Sequence, residues 1–175
     1  MSREEEARLR RELSRSECYL EYGAGGSTVA AVQARVPEIH VKETSPEYLA
    51  RVLKDLTPEE AARVTPHSVD MGAIGGWGYP KVTPSPSVVR EFCSVPSSVT
   101  PDLVLVDGRF RVACALTAAA SLPKGTRILL HDAHRAWFNE VRKWLTLRWK
   151  VETLHCYEKS RDDIGVPESF FADAR

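Results

Sequence analysis

Short apolar segments alternate with helical segments along most of this chain, and that alternation limits the possible folds. The expected strands span residues 18–22, 38–43, 64–69, 102–107 and 127–131, with a final strand or hairpin within 150–157. Segment 102–107 is almost entirely apolar, as is typical of a strand buried at the centre of a parallel sheet. The alternation predicts an α/β fold, a doubly wound and mostly parallel sheet of about seven strands with helices on both faces.

The length of 175 residues suits a single domain of ordinary size. We expect a charged N-terminal helix over residues 1–16, the α/β domain over 17–159 and a polar C-terminal tail over 160–175. Ser2 and Glu5 have the spacing of a capping box at the start of the helix. The tail is either partly disordered or docked through Phe170 and Phe171.

The charge and the cysteines restrict the kind of partner and the compartment. Lys+Arg and Asp+Glu are balanced at 24 each, which argues against a nucleic-acid or anionic membrane partner. No apolar run is long enough to cross a membrane, and the charged start lacks the apolar region of a secretory signal. The four cysteines are scattered without a CxxC pair, which favours reduced thiols. We expect a cytoplasmic protein that acts on a small molecule.

A glycine-rich segment, EYGAGGST at 21–28, follows the first expected strand and opens the next helix. Its glycines allow the backbone to approach a ligand closely, and the start of the helix offers free N–H groups. Glu43 ends the second strand about twenty residues further on, where a carboxylate can accept hydrogen bonds from ribose hydroxyls. Together these features predict a nucleotide-like ligand at the carboxyl ends of the strands.

Two kinds of ligand could explain this glycine-rich segment, a dinucleotide or S-adenosyl-L-methionine. A dinucleotide fingerprint needs a third glycine where this chain has Thr28, and Glu21 is a poor neighbour for a pyrophosphate. A carboxylate suits a cationic ligand instead, such as the sulfonium and amino groups of S-adenosyl-L-methionine. We therefore expect S-adenosyl-L-methionine as the cofactor, and an NAD(P)-dependent oxidoreductase is the rival interpretation.

The pattern Glu21-x-Gly23-x-Gly25, with Glu43 at the second strand end, resembles the class I S-adenosylmethionine-dependent methyltransferases. More narrowly, the segments LEYGAGGST, WGYP, LVLVDGRFRVACAL and LLHD together resemble a family of small, largely bacterial methyltransferase-like proteins of poorly defined substrate. The resemblance extends from about Tyr19 to the final strand. It implies a Rossmann-like sheet and a cofactor site at the glycine segment.

The resemblance also implies roles for individual residues. The methionine part of the cofactor would contact the glycine segment, with Glu21 facing its amino group; the segment comprises Glu21, Gly23, Ala24, Gly25, Gly26, Ser27 and Thr28. Glu43 would hold the ribose, provided that Lys42 points to the opposite face of the sheet. Asp70 and the following loop would lie near the adenine, where Trp77 is either a wall of the site or a core anchor.

The segment Asp107-Gly-Arg109-Phe-Arg111 follows the apolar fourth strand. Asp107 would lie between cofactor and substrate, or it would only cap the next helix. Arginine suits the bidentate binding of a carboxylate or phosphate. Arg109 and Arg111 are therefore predicted to bind an anionic group of the substrate, with salt bridges to nearby acids as the alternative.

His131 and Asp132 follow the fifth strand, and they lie beside Asp107 if the fourth and fifth strands are neighbours. We predict Asp107, His131 and Asp132 as the catalytic residues, acting as general base and orienter without a metal. A divalent metal bound by these carboxylates and a histidine is one alternative. A purely structural role of Asp132 as a helix cap is the other.

Methyl transfer needs little covalent help from a protein, since the cofactor already carries an activated methyl group. The protein aligns a nucleophile and removes its proton. We expect an oxygen or nitrogen nucleophile on a small anionic molecule or sugar derivative, and a homodimer whose interface completes the site. Binding of the cofactor or its demethylated product without turnover is the alternative.

Overall fold

Seven strands form one sheet in the order β3-β2-β1-β4-β5-β7-β6 in the computed structural model. The structure describes the backbone of all 175 residues and every side chain except that of Trp77. The strands are β1 Cys18–Tyr22, β2 Glu38–Glu43, β3 Val64–Ser68, β4 Leu103–Val106, β5 Arg127–Leu130, β6 Leu145–Val151 and β7 Leu154–Lys159. Strands β1 to β5 are parallel, whereas β7 is antiparallel to both β5 and β6. This confirms the predicted α/β, Rossmann-like, doubly wound sheet.

Helices cover both faces of the sheet. The α-helices are α1 Arg3–Leu13, α2 Gly26–Gln33, α3 Pro46–Leu53, α4 Pro58–Ala61, α5 Pro86–Cys93 and α6 Arg111–Ser121, and 3-10 helices span Gly76–Gly78, Ala136–Lys143 and Glu168–Ala172. None of the helices that the structure describes is long and apolar enough to span a bilayer.

The alternation of side chains along each strand builds two cores. On one face, Leu20 and Tyr22 of β1 pack with the apolar side chains of α5 and α6. On the other face, Tyr19 packs with Leu9 of α1 and with the alanines of α2. Every residue of β4 is fully buried, because this strand lies between β1 and β5 with helices on both sides. Burial of this apolar area is the main source of stability for a sheet of this kind.

The two ends of the chain pack against the domain. The predicted capping box of Ser2 and Glu5 is present at the start of α1, and Leu9 and Leu13 of this helix are fully buried. At the C-terminal end, Phe171 is buried. The backbone oxygen of Arg175 also accepts a hydrogen bond of 2.9 Å from the Arg111 N–H at the start of α6. Of the two alternatives for the tail, the structure therefore has the docked one.

The sheet reverses its strand order between β1 and β4, and the loops after these two strands are in backbone contact. Gly23 has a φ of +98°, and a Cβ at this position would lie 2.7 Å from both the N and Cα of Gly108. The Gly108 N–H donates a hydrogen bond of 2.7 Å to the Tyr22 carbonyl. Only glycine at position 23 permits this approach. The loops after β1 and β4 thus lie side by side, where ligands bind in open α/β sheets.

Candidate functional site

A cavity of about 1180 Å³ opens at the carboxyl ends of the parallel strands. Its walls come from the loops after β1, β2, β4 and β5, from the loop before α5, and from α1. The residues that line it include Met1, Glu6, Leu9, Gly23–Ser27, Glu43–Ser45, Tyr48, Arg51, Ile74, Gly75, Gly78, Tyr79, Phe92, Asp107–Arg109, Arg111, His131, Asp132 and Arg135. The cavity is large enough for a cofactor with a small second substrate beside it.

The glycine loop after β1 leaves space for a ligand at the start of α2. A Cβ added to Gly25 or Gly26 would meet no atom within 4 Å, whereas Gly23 is closed off by Gly108. Both open glycines line the cavity. A ligand can therefore approach the backbone here, next to the positive end of a helix.

Glu21 lies beneath this loop and is fully buried. Its carboxyl group accepts hydrogen bonds from the hydroxyls of Ser27 and Thr28, and the Thr28 bond measures 2.6 Å. Burial raises the pKa of Glu21 to about 8, and the charge of Asp107 adds to this effect. In this arrangement the carboxyl group of Glu21 holds the first turn of α2 in place through its two hydroxyl partners. The predicted contact between Glu21 and the amino group of a cofactor stays a prediction.

Glu43 joins the ends of β1 and β2 at the edge of the cavity. Its Oε2 accepts a hydrogen bond of 2.9 Å from the Ala24 N–H, and its Oε1 accepts bonds of 2.7 and 3.0 Å from the Thr44 and Ser45 N–H groups. Lys42 points to the opposite face, where its ammonium donates to the carbonyl oxygen of Glu91 at the end of α5. These bonds hold the carboxylate of Glu43 beside the glycine loop, and its predicted contact with a ribose stays a prediction.

The Gly/Pro-rich segment before α5 forms one wall of the cavity through Ile74, Gly75 and Tyr79. Asp70 precedes this wall, is exposed and accepts a hydrogen bond of 2.8 Å from the Gly72 N–H. It does not belong to the cavity lining that the described residues form. The side chain of Trp77 lies outside the described part of the structure. The roles proposed for Asp70 and Trp77 near an adenine stay predictions.

Asp107 and His131 meet at the adjacent ends of β4 and β5. The Asp107 Oδ1 lies 2.8 Å from the His131 Nδ1, and the other ring nitrogen lies 3.4 Å from the Glu5 Oε2 of helix α1. Burial by itself would lower the pKa of His131. The hydrogen bond to Asp107 and the neighbouring carboxylates outweigh burial and raise that pKa. His131 is therefore held between two carboxylates, which favour its protonated form.

Glu5 is a site residue that the sequence predicted only as part of a helix cap. It is buried, and its Oε1 accepts hydrogen bonds from the Thr153 N–H at 2.8 Å and the Thr153 hydroxyl at 2.5 Å. Burial opposes its charge, but the hydrogen bonds from Thr153 and Ser2 lower the pKa of Glu5 to about 2. The capping-box spacing was the sequence signal that pointed to Glu5. Its contacts with His131 after β5 and with Thr153 in the β6–β7 turn form only in the folded chain.

Arg111 has the salt-bridged arrangement that was the alternative to substrate binding. Its buried guanidinium donates to the carbonyl oxygens of Gly108, His131 and Asp107 at 2.9, 2.6 and 3.0 Å, and to the Asp132 carboxylate at 3.2 Å. These bonds connect the loops after β4 and β5. Arg111 borders the cavity, but its donors are already occupied by the protein.

Arg109 differs from Arg111 in having free donor capacity. Its guanidinium lies 4.3 Å from the centre of the Tyr79 ring, and both residues line the cavity. Its Nε is buried, and no acceptor for it exists among the described residues. A guanidinium without protein partners beside a cavity can bind an anionic ligand through its terminal N–H donors. Arg135, which is bound to Asp132 at 2.7 Å, adds a second positive charge to the same wall.

Two residues in this region adopt left-handed backbone conformations that are uncommon for non-glycine residues. Phe110 has a φ of 55° at the start of α6, and Asp132 has a φ of 58° after β5. Such conformations cost free energy and are often found at functional sites. Here they turn the chain sharply after β4 and β5, which places Arg109 and Asp132 on the cavity wall.

Comparison with known proteins places the chain among methyltransferase folds. No protein-family model matches the chain, and no curated protein matches it in sequence. A solved structure of a methyltransferase-like protein from Silicibacter pomeroyi DSS-3 is 28% identical, with a TM-score of 0.81 over 99% of this chain and 96% of that one. This similarity agrees with the resemblance to methyltransferases noted in the sequence. The narrower family suggested by WGYP and VDGRFR stays a prediction.

More distant structures share the fold alone. A methyltransferase from Geobacter sulfurreducens is 11% identical, with a TM-score of 0.58 over 92% of this chain and 81% of that one. An O-methyltransferase family protein from Burkholderia thailandensis is 10% identical, with a TM-score of 0.54 over 91% of this chain and 56% of that one.

Glu21→Gln should remove the part of the pH dependence of folding stability that is caused by the raised pKa of Glu21. Between pH 4.5, the ordinary pKa, and about pH 8 the folded chain keeps the Glu21 proton that the unfolded chain releases. The free energy of unfolding should therefore fall as the pH rises through this window, by at most about 1.4 kcal/mol per pH unit. Urea unfolding of the wild type and Glu21→Gln across this range measures the difference, which should grow with pH in favour of the variant.

The exposed Glu59→Gln variant is the control, because it changes the same charge away from the loop. Parallel pH profiles for the wild type and Glu21→Gln would show that Glu21 is ionised in the folded protein.

Proposed function

We propose that this protein transfers a methyl group from S-adenosyl-L-methionine to an oxygen or nitrogen atom of a small anionic acceptor. The observation that carries this proposal is one cavity with two chemically different halves. One half contains an open glycine loop beside Glu43. The other half contains Arg109 and the Asp107–His131 pair.

The cofactor half fits S-adenosyl-L-methionine by the chemistry of its residues. The space above Gly25 and Gly26 suits the methionine part, close to backbone N–H groups. Glu43 would accept hydrogen bonds from the ribose hydroxyls. Glu21 would act by positioning the loop, through its bonds to Ser27 and Thr28. When bound, the cofactor supplies an electrophilic methyl group.

The acceptor half supplies charge recognition and a route for a proton. Arg109 would bind the anionic group of the acceptor, and its stacking on Tyr79 orients the guanidinium. Asp107 borders the cavity and is oriented by His131. We assign Asp107 as the group that takes the proton of the nucleophile, with His131 orienting its carboxylate. Asp132, which is bound by Arg111 and Arg135, would shape the wall.

A second candidate function is cofactor binding without turnover. It is favoured by the pairing of the polar groups around Asp107. His131 lies between two carboxylates, and Asp132 is bound by two arginines. Groups that are so fully paired are typical of a structural network. The homodimer expected from the small size of the domain stays a prediction.

S-adenosyl-L-methionine and S-adenosylhomocysteine should both raise the unfolding temperature, and NAD(P) should not. At 100 times Kd a ligand stabilises the folded state by about 2.7 kcal/mol, or roughly 5–10 °C for a chain of this size. Gly26→Val should abolish the shift, because its side chain would fill open space at the first residue of α2. Differential scanning fluorimetry measures both effects.

Gly165→Val provides the matched control. Gly165 is exposed, lies outside the cavity lining, and its added Cβ would make only an ordinary contact of 3.7 Å with Trp144. This variant should keep the full shift. A shift with NAD(P) alone, or an undiminished shift in Gly26→Val, would remove the basis of the proposed function.

Asp107→Asn should separate catalysis from binding. Loss of a general base lowers kcat by roughly 10²–10⁴-fold, whereas the cofactor-induced shift should persist. The assay follows S-adenosylhomocysteine formation with a panel of small carboxylates, phosphate monoesters and amino sugars. Asp162→Asn, whose side chain is 91% exposed, is the control. Equal turnover by Asp107→Asn would exclude Asp107 as the base, and cofactor binding without turnover by the wild type would favour the second candidate.

Arg109→Ala should raise KM for anionic acceptors by roughly 10–100-fold, the value of one or two charge-assisted hydrogen bonds. The cofactor-induced shift should not change, because Arg109 belongs to the other half of the cavity. The same assay measures KM, and Arg148→Ala on the exposed hairpin strand β6 is the control. Unchanged KM and kcat in Arg109→Ala would show that the anionic group binds elsewhere.

A further inference from the structure

A second cluster of chemically active side chains lies at the opposite end of the sheet. Cys18 begins β1, and Glu38 begins the neighbouring strand β2, where the two residues are paired in register. His40 is two residues further along β2, on the same face of the sheet as Glu38. The amino ends of these strands are remote from the cavity at their carboxyl ends, so the cluster has no part in the proposed methyl transfer.

The three side chains converge on one point. The Cys18 Sγ, a carboxylate oxygen of Glu38 and a ring nitrogen of His40 all lie within 4.8 Å of one another. The Glu38 Oε1 and the His40 Nε2 lie 2.8 Å apart. Cys18 and His40 are buried, whereas the Glu38 side chain is 56% exposed. The cluster therefore has two buried members in the protein interior, and it is accessible to solvent on the side of Glu38.

This combination of ligand atoms is typical of zinc. Zn²⁺ takes thiolate, imidazole and carboxylate ligands at about 2.0–2.3 Å, in a tetrahedron with adjacent ligand atoms about 3.5 Å apart. The three ligand atoms, which lie within 4.8 Å of one another, are near this spacing. Three protein ligands leave the fourth position to water.

A neighbouring histidine orients the imidazole for this role. The His40 Nδ1 lies 2.9 Å from the Nε2 of His67 on β3, so the Nδ1 is engaged there and the Nε2 faces Glu38 and Cys18. A hydrogen bond at the second ring nitrogen is the usual support of a metal-binding histidine. The nearby ammonium of Lys42 is bound by the carbonyl oxygens of Glu91 and Ser94 at the end of α5.

We propose that Cys18, Glu38 and His40 bind one Zn²⁺ ion, with water as the fourth ligand. Binding releases the proton of the Cys18 thiol, and the Glu38 carboxylate and the His40 Nε2 contact the ion instead of each other. The ion joins the amino ends of β1 and β2. Since it binds the folded chain, it raises the free energy of unfolding.

The direct test is a titration of the full chain with Zn²⁺ in competition with a chromogenic chelator. The wild type should bind one equivalent. Cys18→Ser and His40→Gln should each weaken binding by at least about 100-fold, and His67→Ala by roughly 10–100-fold. Cys156→Ser, which changes another buried cysteine, should bind as the wild type does. Glu38→Gln alters an exposed side chain, so it should fold normally and bind roughly 10-fold more weakly.

Cobalt(II) identifies the ligands by absorption. The wild type loaded with Co²⁺ should show a thiolate-to-metal charge-transfer band in the near ultraviolet, which Cys18→Ser should lack and Glu38→Gln should keep. Binding of Zn²⁺ by the wild type no tighter than by Cys18→Ser and Glu38→Gln would overturn the proposal, as would a band that persists in Cys18→Ser. The shift induced by S-adenosyl-L-methionine serves as the independent readout of the methyl-transfer site and should be equal with and without zinc.

Discussion

The close contact between Gly23 and Gly108 is the constraint on which the site depends. A side chain at position 23 would overlap the backbone at position 108, so the loops after β1 and β4 can lie side by side only with glycine there. This contact brings the open glycine loop and the Asp107–Arg109 segment into one cavity. In the proposed methyl transfer, cofactor and acceptor would have to meet within a few ångströms, and this backbone contact would allow that proximity.

A buried network of charges then holds the surrounding elements in place. Glu5 connects α1 to His131, and His131 connects β5 to Asp107 at the end of β4. Arg111 connects the loops after β4 and β5 through carbonyl oxygens and Asp132. Removing charges from water costs free energy, so such networks stabilise a fold only when every member is paired. Arg109 is the exception at this site, because its buried Nε has no acceptor among the described residues.

Much of the architecture and part of the site could be predicted from local patterns. The apolar β4 and the alternation of strands and helices predicted the doubly wound sheet, because burial on both faces leaves a recognisable composition. The position of Glu43 at a strand end followed from the length of β2. The burial of Glu21 beneath its loop could not be predicted, since it depends on Ser27 and Thr28 folding back over it. The sequence also could not show that Arg111 is hydrogen-bonded within the protein whereas the Arg109 Nε has no acceptor among the described residues, because two identical side chains point into different surroundings.

The sequence by itself determined the order of the elements, the glycine loop and the set of polar residues that follow each parallel strand, because these depend on local periodicity and backbone freedom. Only the tertiary structure decided which of those residues are free to bind a ligand. That choice depends on partners distant in the chain, such as Glu5 for His131 and the carbonyl oxygens of two loops for Arg111. A donor hydrogen that is already bonded within the protein is not available to a ligand, and such bonds arise only when the strands assemble.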